Sequence, residues 1–171
     1  MKPIAIIISL IIYATTALAS DITQCNIDKY VTYSKAKEDW QHSLTALVTT
    51  AVPESKDTAN FFMNTQILEI KQHMLAVKLL LTNNPERVQV NERLRRWTVL
   101  RPQDDKTLSK LSPQYASVTE RLAKARERKD MPNADKLQQA MQTKIIPSPK
   151  FRKMYDAFNQ KINQINRIRC Q

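Results

Sequence analysis

Apolar residues recur along this chain at helical spacing, so the elements come first. Tyr30, Tyr33, Lys37, Trp40, Leu44, Leu47, Val48 and Ala51 fall along one side of a helix expected over residues 26–51. A second helix is predicted over residues 55–82 and carries two apolar stripes. Ala59, Phe62, Met63, Ile67, Ile70, Met74, Val77 and Leu81 make one, and Phe61, Leu68, Leu75 and Leu79 make another nearly opposite. A helix apolar on both sides is the expected centre of a bundle; the competing reading makes the second stripe a partner-binding face. Val88, Val90, Leu94 and Trp97 predict a short third helix over residues 85–100, followed by a connector at residues 101–105. A fourth helix is expected over residues 113–129, a fifth over 132–146 and a sixth over 149–169. The sixth has the cleanest stripe: Phe151, Met154, Tyr155, Phe158, Ile162, Ile165 and Ile168. No stretch alternates as a strand. The expected fold is all-α, a single compact bundle of five or six helices.

Proline supplies the punctuation. Asn84-Pro85, Ser112-Pro113 and Ser148-Pro149 each put a capping residue before a proline at the first helical position. Asn83 is the expected left-handed helix end. No internal repeat is present. The Leu-Thr-x-x-Gln signature of small helical periplasmic chaperones is not completed at Leu44-Thr45 or Leu81-Thr82.

The N-terminus changes the compartment. Lys2, the apolar run from Ile4 to Tyr13 and the small residues Ala17 and Ala19 fit a signal peptide over residues 1–19, cleaved before Ser20. Residues 20–171 are then one helical domain, exported to a periplasm or beyond, with no transmembrane segment left in the mature chain. The two cysteines of the chain, Cys25 and Cys170, lie near the ends of that domain, and export predicts one disulfide joining them. The adjacent spacing of a redox-active pair is missing, so the bond is read as structural.

Composition then excludes much. The 171 residues include no glycine, which removes P-loops, dinucleotide fingerprints, nucleophile elbows and EF-hand loops. Lys and Arg number 27 against 16 Asp and Glu, a net charge of +11. The excess is concentrated. Residues 85–101 carry a net +3 and residues 148–171 a net +5, whereas residues 20–57 carry −2. Arg93, Arg95, Arg96 and Arg101 cluster around Trp97, and Lys150, Arg152, Lys153, Lys161, Arg167 and Arg169 surround the stripe of the sixth helix. Arginine beside an aromatic is a common binding-anchor composition. The plainer reading is a set of solvated helix faces.

Catalytic signals are few. His42 and His73 share no metal-ligand spacing, so no metal and no cofactor is expected. Glu38 and Asp39 diverge on a helix, and Asp104 and Asp105 read as caps. The expectation is an exported, non-enzymatic protein-binding domain, of the kind that serves as an immunity protein, an inhibitor or a secretion accessory of the cell envelope. Arg93, Arg95, Arg96, Trp97, Arg101, Lys150, Arg152, Lys153 and Lys161 are its candidate contacts with an acidic protein. The alternative is a binder of anionic polysaccharide, lipid or membrane surface. A hydrolase built from distant carboxylates ranks third. Nucleic acid is set aside, because the chain is read as exported and carries no recognised binding motif.

Overall fold

The computed structural model describes the backbone of residues 5–97 and 99–171, and the side chains of residues 21–97 and 99–171. The signal peptide expected over residues 1–19 lies outside the residues whose side chains are described. Six α-helices are present among the described residues: α1 (Ala5–Ala51), α2 (Lys56–Asn83), α3 (Pro102–Leu111), α4 (Pro113–Glu127), α5 (Ala134–Ala140) and α6 (Pro149–Asn166). No strand occurs among them, and the all-α bundle expected from periodicity is the fold.

Two of the three proline signals cap helices as expected. Ser112 Oγ accepts from Tyr115 N–H (3.2 Å) and Ser148 Oγ from Phe151 N–H (3.1 Å). The third does not. Pro85–Arg87 and Leu94–Arg96 are isolated 3₁₀ turns, so the expected third helix is instead a folded loop. That loop is closed by non-local bonds. Gln89 N–H donates to Trp97 O (2.9 Å), and the Trp97 indole N–H donates to Glu92 O (2.9 Å). Burying Trp97 with its N–H satisfied outweighs a short, β-branched helix with little face to bury.

The expected connector is also corrected, because residues 102–105 open α3. Pro102 takes the first helical turn, and Asp104 Oδ2 accepts from Arg101 N–H (2.7 Å), a capping role. Left-handed backbone is found at Asn133 (φ 60°), not at Asn83. The fifth expected helix is divided: α5 passes into a π-helical turn at Met141–Ile145, marked by Ile146 N–H donating to Met141 O (2.9 Å).

α2 lies between α1 and α4, which explains its two stripes. The main core joins Tyr30, Tyr33 and Ala36 of α1 to Leu75, Ala76, Val77, Leu80 and Leu81 of α2, with Trp97, Leu108, Tyr115 and Ile165 around them. A smaller core gathers Leu47, Val48, Ala59, Leu137 and Ile145 at the other end of the bundle. In a chain without glycine, alanine permits the closest helix approach; Ala36 and Ala76 are almost wholly buried. Cys25 and Cys170 form the expected disulfide, Cα atoms 5.6 Å apart. Lys29 reinforces it, donating to Ile168 O (2.7 Å).

Candidate basic-aromatic cleft

α6 packs against α1 through a cluster of rings. Trp40 of α1 meets Phe151, Tyr155 and Phe158 of α6 at centroid separations of 5.8, 5.8 and 5.1 Å. The cluster is half-open: Trp40, Phe151 and Phe158 are partly buried and Tyr155 is exposed. A groove of about 260 Å³ beside it is lined by Trp40, Met154, Phe158 and Lys161. α6 has a single fully buried side chain, Ile165, so most of its apolar stripe forms this boundary.

On the other side of Phe158 lies a second cleft, of about 390 Å³. Tyr33 and Lys37 come from α1, Arg93 and Arg95 from the folded loop, and Phe158, Asn159, Ile162, Asn163 and Asn166 from α6. Asn166 Oδ1 accepts from Leu94 N–H (3.1 Å), fastening the arginine turn to α6. Three cationic side chains thus line one concavity. None of the three forms an ion pair with a carboxylate among the described residues. Burial pushes the Lys37 ammonium below the ordinary lysine value, with Glu69 pulling it back. Its nitrogen lies 5.7 Å from the Tyr33 ring centre. Burial pushes the Tyr33 phenol up, and the Arg95 charge opposes that shift.

The candidate contacts separate in space. Arg93 and Arg95 lie in the cleft, and Lys161 borders the adjoining groove. Lys161 is partly neutralised, because Asp39 accepts from it (3.4 Å) and from Lys35 (2.6 Å). Lys150, Arg152 and Lys153 are exposed within the first five residues of α6, among which none is acidic. Cations at a helix N-terminus oppose its dipole, so local helix energetics do not account for them.

Arg96 is an exposed partner of Glu92 (3.6 Å). Arg101 faces elsewhere, lining a cleft with Gln72, His73, Asp105 and Arg126. Trp97, one of the candidate contacts, is buried. It has no exposed surface, stacks on Tyr30 at 5.6 Å and carries the Lys29 ammonium 5.5 Å from its ring. The residues missed by sequence reasoning are Tyr33, Lys37, Trp40, Asn159 and Asn163. The signal for the amides was present, because Asn159, Asn163 and Asn166 recur at helical spacing on α6.

A different polar cluster is structural. Asp104 takes two hydrogen bonds from Arg87 (3.2 and 3.1 Å) besides the Arg101 N–H. Burial acts to raise its carboxyl, but these bonds and the two guanidinium charges outweigh burial and hold it below the usual range. The buried Tyr115 hydroxyl donates to Asp105 (2.6 Å), tying α4 to α3. Among the described residues no three His, Cys, Asp or Glu side chains are placed to hold a metal ion, and no helix is long and apolar enough to cross a membrane. No protein-family model, curated protein or solved structure matches this chain.

Proposed function

We propose that this chain is an exported, non-enzymatic protein-binding domain of the cell envelope, an immunity, inhibitor or secretion-accessory protein whose partner is acidic. The observation that carries the reading is the cleft in which Lys37, Arg93 and Arg95 converge, none of them in an ion pair among the described residues, beside the half-open Trp40 cluster. Charge selects and steers the partner, while partly buried rings supply the apolar contact that retains it. The disulfide and the absence of a membrane-crossing helix among the described residues are compatible with an exported protein.

The rival reading is an anionic polymer or membrane surface drawn to Lys150, Arg152 and Lys153. The packing of Phe151 and Phe158 on Trp40 favours the protein partner, since an interfacial helix needs its apolar face free. A pull-down from envelope extract with the disulfide-bonded chain separates the two. One acidic protein retained through a high-salt wash is the expected result. Complete loss at high salt, with lipid or polysaccharide in the eluate, overturns it. Arg93→Glu with Arg95→Glu should weaken retention at least about tenfold while shifting stability by no more than about 0.5 kcal/mol, as for surface changes.

A further inference from the structure

The cleft has a second regularity besides its charge. Asn159 and Asn163 stand one helical repeat apart on its α6 wall. Asn166 is occupied by the Leu94 N–H, whereas the side-chain amides of Asn159 and Asn163 have no protein partner among the described residues. Each amide offers one donor group and one acceptor, matching the C=O and N–H of a peptide unit. Four helical residues advance about 6 Å. Two residues of an extended chain advance about 6.6 Å. Successive amides on α6 are therefore nearly in step with alternate residues of an extended strand.

We infer that the cleft binds an extended acidic peptide segment, its main chain held by Asn159 and Asn163 and its carboxylates by Lys37, Arg93 and Arg95. The inference rests on the protein-binding reading above and specifies the form in which the partner is recognised. Apolar side chains between the carboxylates reach Phe158, where the cleft adjoins the Trp40 groove. An acidic peptide suits this lining better than a phosphate polymer does. The cations are interrupted by amides and apolar side chains that a polyanion does not use, whereas a peptide uses all three.

The test is fluorescence anisotropy with the disulfide-bonded chain and a labelled short peptide of alternating glutamate and phenylalanine. A second peptide has the same sequence with alternate backbone amides N-methylated. Asn159→Ala with Asn163→Ala should weaken the unmodified peptide about tenfold, as the loss of one or two net hydrogen bonds implies. The N-methylated peptide should bind weakly to both forms and lose little more in the variant. Alanine preserves the helix, and an unchanged thermal midpoint verifies this. Equal binding of the two peptides, indifferent to the asparagines and displaced by heparin with a steep salt dependence, overturns the inference in favour of a polyanion. Retention of the envelope protein by the asparagine variant, lost only on Arg93→Glu and Arg95→Glu, overturns the strand recognition and leaves the protein-binding reading standing.

Discussion

His73 on α2 feels charges from four helices: Lys37 of α1, Glu69 of its own α2, Asp105 of α3 and Arg126 of α4. Burial is the largest influence and pushes its pKa down; Lys37 and Arg126 push the same way, against Glu69 and Asp105. The folded state therefore favours neutral imidazole. The unfolded chain, with a histidine pKa of about 6.5, takes up a proton first as pH falls. More protons on the unfolded state mean that stability declines as pH drops below about 6.5 towards the folded value. Urea titrations between neutral pH and about pH 5 should show this decline, and His73→Gln should flatten it. An equally steep decline in the variant would assign the effect to other groups. At this scale sequence reading succeeds where chemistry is local, as with the cap at Asp104. It fails for Trp97, whose place depends on the Tyr30 ring and the Glu92 carbonyl.

Among the elements, α6 is the one that local forces leave least secured. Its stripe is the most regular in the sequence, yet only Ile165 is fully buried. Its hold on the bundle comes from Trp40, from the Asn166 bond to the folded loop, and from the disulfide just beyond its end. Trp40→Ala removes the surface on which Phe151 and Phe158 rest. A loss of about 2 kcal/mol is expected, below the full-core value because Trp40 is only half-buried. Native-state hydrogen exchange should localise it: amides of α6 gain exposure while those in the middle of α2 keep their protection. Uniform loss across both helices would show that α6 and the main core unfold together. The contrast with residues 85–100 is instructive. Both segments display helical spacing, but only α6 has enough apolar length for a helix to bury.

For the whole molecule, one covalent bond joins α1 to the segment beyond α6. Cys25 and Cys170 are 145 residues apart, and closing a loop of that length restricts the unfolded chain by about 5 kcal/mol in the chain-entropy argument. Cys25→Ser with Cys170→Ser, or reduction of the native protein, should lower the melting midpoint by roughly 10 °C, measured by circular dichroism. A change of only a degree or two would mean that the ends are already held by Lys29 and the packing around Trp97. The same bond ties the end of α6 to α1, two walls of the cleft, so reduction should also weaken whatever the cleft binds.

By itself the sequence determined the helical class, the central position of α2, the caps at Ser112 and Ser148, and the pairing of the only two cysteines. Each follows from local spacing, short-range hydrogen bonding or simple counting. Tertiary structure alone decided that residues 85–97 fold around Trp97, that Arg101 and Arg96 leave the basic cluster, and that Lys37 joins it from α1. The physical reason is the same in each case. Net charge and periodicity belong to a segment, whereas a cleft belongs to distant side chains, and the burial of Trp97, the Trp40 contact and the Asn166–Leu94 bond bring α1, the loop and α6 to one surface.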